Sequence, residues 1–173
     1  EDLFYGGTGE IVKIPNSPFY RSRVEGSFVR YRWFHTGDQR GYWTAEYPDG
    51  SVGYFGADSK KVIDLNSQVY GAKGTFRWEL RTRIDRNDNR IEYRYFREKS
   101  QVYLESIEWV FNDQGKALYK AEIRYESRPD PISDCKPGFD LTTEKRVKEI
   151  TVYSEGKRIR SYSFDFDVSS GLS

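Results

Sequence analysis

The side chains in this sequence that could do chemistry are its carboxylates, one Asp/Asn-rich turn, a single histidine and a single cysteine. A glycosidase-like acid and base would need two carboxyl groups about 5 to 10 Å apart across a cleft. Asp165 and Asp167 share a face of the last predicted strand, whereas Glu105 and Glu108, three apart, fall on opposite faces. Basic residues are interleaved throughout, so these acids read as cross-strand ion pairs on solvated faces. Asp85-x-Asn87-x-Asn89 begins like a calcium loop, but the sixth position is Arg90 instead of Gly and the twelfth is Phe96 instead of Glu. It therefore reads as a β-turn in which Asp85 and Asn89 bond their own main chain. His35 has no second histidine with which to share a metal. Cys135, the lone cysteine, excludes an internal disulfide and lies in a proline-rich loop. Nucleophile-elbow, phosphate-loop and dinucleotide motifs are absent. The sequence thus predicts no catalytic group, no cofactor and no metal.

The remaining chemistry is aromatic. Trp33, Trp43, Trp78 and Trp109 could form a sugar-stacking platform if exposed on a sheet. Trp78 lies on the apolar face of its strand, and Trp109 shares a face with Ile107 and Phe111, so core packing is the better account of both. Carbohydrate remains the alternative ligand. Arg77, Arg81, Arg83, Arg94 and Arg97 form a basic stripe, diluted by Glu79, Glu92 and Glu98.

These residues are positioned by strands, and the chain is organised around residues 75–111. From Phe76 to Ile84 apolar residues and Thr82 alternate with charged ones, which predicts one strand with Phe76, Trp78, Leu80 and Ile84 on one face. Residues 90–96, carrying Tyr93 and Tyr95, and 102–111 follow as strands. Earlier, 28–35 and 61–65, and between them the runs 42–47 and 51–55, read as strands. The last two flank Asp49-Gly50, a strong hairpin signal because the turn needs positive φ. Residues 116–126, 145–154 and 158–168 complete the pattern, and 168–173 reads as a frayed end. No segment shows a helical apolar period. The expectation is an all-β, mostly antiparallel, large curved sheet of about ten strands in meander order. It forms a single segment, with a sub-boundary in loop 66–74 and a proline-rich loop at 129–138 that Arg128 and Asp130 tie to the sheet.

Composition agrees. Aromatic residues make up 17% and charged residues 32%, against only 36% hydrophobic, which suits strands with one solvated face. A net charge of +1 argues against a dedicated nucleic-acid binder. No apolar run approaches the ~20 residues of a membrane-spanning helix. The absence of Met reads as a fragment or processed piece of something longer.

One resemblance runs through most of the chain in order. Tyr20 to Phe28, Trp43-Thr44-Ala45-Glu46-Tyr47-Pro48-Asp49-Gly50, Tyr54-Phe55-Gly56, Trp78-Glu79-Leu80, Asp85, Asn89, Tyr93-Arg94-Tyr95, Ile123 to Asp130 and Arg146 to Ile150 together resemble the SpvB/TcB family, within the wider Rhs and YD-repeat group. The turn carries Asp88-Asn89 where the family usually has Gly-Asn. The resemblance implies strand-turn-strand units of a β-shell that encloses a toxic polypeptide. On it, the chain is expected to be a non-enzymatic wall segment of a large secreted or cell-surface bacterial toxin. Its partners would be the rest of the same polypeptide and a toxin-complex partner chain. The alternative is an extracellular module binding carbohydrate or a cell-surface partner.

Overall fold

A computed structural model describes residues 3–7, 9–36, 40–72 and 74–166. Fourteen strands are present among them, with no α-helix. They are β1 (Phe4–Gly6), β2 (Gly9–Lys13), β3 (Phe19–Ser22), β4 (Arg30–Thr36), β5 (Arg40–Glu46), β6 (Val52–Phe55), β7 (Gln68–Gly71) and β8 (Gly74–Trp78). Then come β9 (Leu80–Ile84), β10 (Arg90–Glu98), β11 (Gln101–Phe111), β12 (Ala117–Asp134), β13 (Leu141–Ser154) and β14 (Lys157–Ser163). Twelve form one open antiparallel sheet in chain order, with β1 and β14 at its edges. Only β7 and β8 step out of line, as a separate hairpin between β6 and β9. The meander expectation holds. The turn through 37–39, Asp167 and the frayed end at 168–173 lie outside the described residues.

Aromatic and β-branched strands with polar turns favour this layout, because each short turn lets the next strand pair at once. Two cores hold it. The first gathers Ile11, Val29, Tyr31, Trp43 and Ala45, with Phe4, Tyr20, Trp33, Tyr47, Phe55 and Trp78 packed against them. Trp43 is its hub, with the rings of Phe4, Tyr20 and Trp33 at 5.0–5.1 Å. The second gathers Val69, Val102 and Leu141, with Tyr95 and Phe139 beside them.

The β7–β8 hairpin joins the two, and here three sequence expectations are corrected. Residues 76–84 are not one strand. The ladder breaks at Glu79, whose N–H donates to Ser67 O at 2.8 Å while its own carbonyl accepts from Gly56 N at 3.0 Å. Trp78 therefore belongs to the hairpin and Leu80 to the large sheet. Nor is 66–74 chiefly loop. A 3-10 turn at Leu65–Ser67 leads into β7, and Ser67, Gln68 and Val69 have no exposed surface. Residues 61–65, read as a strand, contribute only an isolated bridge between Ile63 and Ala57.

The proline-rich segment is also largely strand, since β12 runs to Asp134 and only the turn beyond it is irregular. Ser127 pairs with Lys145 and Ile132 with Thr143, so residues 128–131 together face Glu144 alone. Pro129 and Pro131 sit in this bulge, where a missing N–H removes no ladder bond.

Of the described non-glycine residues with positive φ, Val110 is the one inside a strand: it has φ of 52° within β11 and is 49% exposed. Leu118, across from it, gives its carbonyl instead to the N–H of Glu155 at 2.6 Å. A β-branched residue in the left-handed region stores about 1–3 kcal/mol, more than glycine's entropic penalty of about 0.5–1 kcal/mol in a strand. Val110→Gly is therefore expected to raise stability by about 1 kcal/mol, measured as a higher midpoint in thermal denaturation.

Candidate functional site

Beyond the part of β10–β13 that the β7–β8 hairpin covers through Val69, Val102 and Leu141, no second layer lies over the sheet among the described residues, and its two faces differ in chemistry. The register sets the rows. On one face Glu92 stands opposite Glu108 and Glu108 opposite Lys120; in the next row lie Arg94, Ser106 and Glu122. Glu92 accepts from Arg90 Nε at 2.9 Å and Arg94 Nη2 at 3.0 Å, with Arg81 Nη1 at 3.6 Å. Arg94 Nε reaches Glu108 at 3.2 Å, and Lys120 pairs with Glu122 at 2.9 Å. Two glutamates directly opposite would repel; Arg94 between them offsets that. The carboxylates are occupied by guanidinium donors at Glu92 and Glu108 and by the Lys120 ammonium at Glu122, an arrangement that neutralises charge instead of passing protons. A trough of about 590 Å³ runs over this face, bounded by Phe111, Leu118 and Tyr153.

The opposite face is apolar. Its rows are Ile91, Trp109 and Tyr119; Tyr93, Ile107, Ala121 and Val152, ending on Arg160 at the edge; and Ile123, Ile150 and Tyr162. The Trp109 and Tyr119 rings stack at 5.8 Å and 13°. None of these residues belongs to either core cluster, and no second layer covers them among the described residues.

The residues singled out from the sequence are distributed as turn anchors and packing contacts. Gly50 has φ of +79° in the turn closed by Tyr47 and Ser51, and Asp49 Oδ1 accepts from the N–H and Oγ of Ser51 at 2.8 and 2.6 Å. Arg83 spans to Asp49 at 3.2 Å. Asp85 Oδ1 accepts from the N–H groups of Asn87 and Asn89 at 2.8 and 2.9 Å, and its Oδ2 from Asn89 Nδ2 at 2.8 Å. Trp78 is half-buried, and its indole N–H donates to Gly41 O at 3.0 Å. Tyr93 lies in the apolar row, while Tyr95 turns inward and donates from its hydroxyl to Leu80 O at 2.8 Å; burial raises its pKa. Arg128 and Asp130 pair with each other at 3.0 Å inside the bulge. His35 is exposed on β4, and Cys135 is exposed in the turn after β12. Trp33 and Trp43 belong to the first core, which leaves Trp109 as the tryptophan outside it. Among the described residues no His/Cys/Asp/Glu group is arranged to hold a metal. No helix is long and apolar enough to cross a membrane.

Sequence reasoning missed Gln68 and Arg81, buried at 0% and 7% exposure. Arg81 Nε donates to Asp64 Oδ2 at 2.9 Å, fixing the 3-10 turn to β9. Residue type alone assigns both to the surface.

The turn carboxyls give a pH dependence. Hydrogen bonds from Ser51 hold Asp49, and the side chain of Asn89 holds Asp85, below the ordinary value of 3.8. A depressed folded pKa gives stability that is complete above the unfolded value and is lost as pH falls through the folded one. The acid limb of the thermal midpoint should therefore steepen below pH 3.8 and flatten in Asp49→Asn and Asp85→Asn, as differential scanning calorimetry would read.

Comparison with known proteins follows the fold. The N-terminal domain of effector protein SpvB from Salmonella typhimurium strain LT2 superposes with a TM-score of 0.77 at 13% identity, covering 88% of this chain and 70% of that one. A crystal structure of TcdB2-TccC3-Cdc42 gives a TM-score of 0.74 at 17% identity, over 88% of this chain and 10% of that one. A Tc holotoxin pore of Photorhabdus luminescens gives 0.68 at 17% identity, over 79% and 8%. The chain thus spans about a tenth of the toxin-complex chains it matches. No curated protein matches it by sequence. The family model for the Salmonella virulence plasmid 65 kDa B protein matches residues 16–127, well over half of the chain. With that match running from the ring-rich strands β3 to β6 through β11 and into β12, the chain belongs to the SpvB family.

Proposed function

We propose that this chain is a non-enzymatic wall segment of a large secreted, toxin-related bacterial protein, part of a β-shell that encloses a toxic polypeptide. One observation carries the reading. Away from the β7–β8 hairpin, the β10–β14 sheet has an ion-pair ladder on one face and an apolar face on the other, with no second layer over it among the described residues. A free-standing domain normally buries such an apolar face against a second layer, whereas a shell wall exposes both. The partners follow: the rest of the same polypeptide and a toxin-complex partner chain. The test is the size of the native protein, by immunoblot with an antibody to this chain in the cells that make it. A band many times heavier than 20.4 kDa supports the wall reading. A band near 20.4 kDa leaves too little chain to enclose anything and overturns it.

A second reading, an extracellular carbohydrate-binding module, is favoured only by the Trp109–Tyr119 stack, whose tyrosine is 37% exposed. A glycan-array signal lost in Trp109→Ala with unchanged folding would establish it, and a blank array would remove it.

A further inference from the structure

One aromatic residue of the long strands stands on the polar face. By the alternation of β11, Phe111 would follow Ile107 and Trp109 onto the apolar side. The left-handed backbone of Val110, at φ of 52°, turns it instead onto the ion-pair face. There its ring centroid lies 3.9 Å from the Arg90 guanidinium, and it borders the trough of about 590 Å³. A β-branched residue with positive φ inside a strand is a true outlier. Such strain gathers at ligand-binding and switch sites. Relaxing Val110 would return Phe111 to the apolar rows, so the strain keeps an aromatic ring in a polar trough.

The trough has the volume of a small-ligand site, for which roughly 300–1,000 Å³ is usual. Its floor alternates in sign. Glu92, Glu108 and Glu122 offer acceptors while Arg94, Lys116 and Lys120 offer donors, so the acids and bases that line it balance. The ion pairs leave much of this hydrogen-bonding capacity unused. Among the described residues, the Lys120 ammonium, with its several donors, meets one carboxylate, Glu122 at 2.9 Å, and Lys116 meets none. Beside this floor stand Phe111 and the half-buried Tyr153. An aromatic wall over a neutral set of donors and acceptors suits a ligand that is apolar on one side and hydroxylated on the other.

We propose that this trough binds a short neutral oligosaccharide. The C–H faces of the sugar rest on Phe111 and Tyr153. Its hydroxyls, each able to donate and to accept, fit a floor of alternating sign. A polyanion would meet Glu92, Glu108 and Glu122, and a polycation would meet Arg94, Lys116 and Lys120. The site is distinct from the Trp109–Tyr119 stack, which lies on the opposite face. It rests on neither reading of the whole protein, because a wall segment and a free module can both carry it. The residues named lie on β10 to β13 and in the turn between β11 and β12, not on the edge strands.

The experiment titrates the whole chain with maltotriose, cellotriose and tri-N-acetylchitotriose, and with trigalacturonate and triglucosamine as charged counterparts. Isothermal titration calorimetry should show a neutral trisaccharide binding at least roughly ten-fold more tightly than either charged one. Backbone NMR shifts should centre on Phe111, Lys120 and Tyr153. Phe111→Ala should weaken binding about ten-fold, as loss of a ring contact implies. Lys120→Gln, which leaves the ring wall in place, should weaken it several-fold with unchanged circular dichroism. Where Phe111→Ala does not fold, the Lys120→Gln result decides. No binding of any neutral trisaccharide, equal binding of a charged one, or binding indifferent to these substitutions would overturn the proposal. So would shifts centred on Trp109 and Tyr119, which would give the sugar to the opposite face.

Discussion

Trp78→Ala is expected to lower stability by about 3–5 kcal/mol, the usual consequence of emptying a large aromatic site. The Trp78 ring packs edge-on to Trp33 at 5.2 Å and to Trp43 at 6.3 Å, so its removal opens a cavity beside the hub of the first core. Its indole N–H also holds the carbonyl of Gly41, which ties the β7–β8 hairpin to β5. Chemical denaturation should show a lower midpoint, and tryptophan fluorescence should report the loosened Trp33 and Trp43. Trp78→Phe keeps most of the ring contact and loses only the hydrogen bond, worth about 1 kcal/mol. An unchanged midpoint in Trp78→Ala would mean that the hairpin does not help to hold the sheet.

Gln68→Ala should follow closely, at about 2–4 kcal/mol, from a cavity and three lost hydrogen bonds. The amide of Gln68 is fully buried and works like a piece of main chain. Its Nε2 donates to Gly41 O at 3.2 Å and Gly56 O at 2.9 Å, and its Oε1 accepts from Thr75 Oγ1 at 3.1 Å. Gln68→Leu fills the volume but not the bonds, and should recover part of the loss; a full recovery would show that the amide contributes only bulk. Because Gln68 and Trp78 share the Gly41 carbonyl, the double variant should lose less than the sum of the two, as coupled neighbours do. Gly41 itself has no room to change. A Cβ there would sit 2.3 Å from Phe34 O and 2.3 Å from the Trp33 ring.

These two residues also mark where reading the sequence succeeds and where it stops. Alternation, turn chemistry and aromatic content were enough to predict an all-β meander, and the Asp49-Gly50 and Asp85–Asn89 turns lie at their expected places between paired strands. Residues 76–84 read as one strand because a period of two says which face a residue takes, but not which sheet it joins. The break at Glu79 is made by main-chain bonds to Ser67 and Gly56, and no side chain announces it. Ser67 and Gln68 read as loop because polar residues usually face water; here the amide caps carbonyls inside the protein. Pro129 and Pro131 read as strand breakers, and the bulge opposite Glu144 makes them harmless. The apolar rows of β10–β13 were legible as faces except at Phe111, expected beside Ile107 and Trp109 but found on the ion-pair face past the positive φ of Val110. That no second layer covers them among the described residues was not, because coverage is a property of the third dimension.

The order of the sheet has a mechanical consequence. Almost every strand pairs with its neighbours in the chain, so a pull on the β14 end would load one hairpin at a time, as in a zipper, and the long strands would peel off in sequence. Peeling β13 and β11 would first part Leu141 and Val102 from Val69 of the hairpin. The larger obstacle is β9, whose partner β6 lies across the whole segment from 56 to 79. There the hairpin with Trp78 and Gln68 would have to leave the first core before the peeling could go on. In a force-extension record the first half of the chain should therefore yield as one late, larger event after a series of small ones.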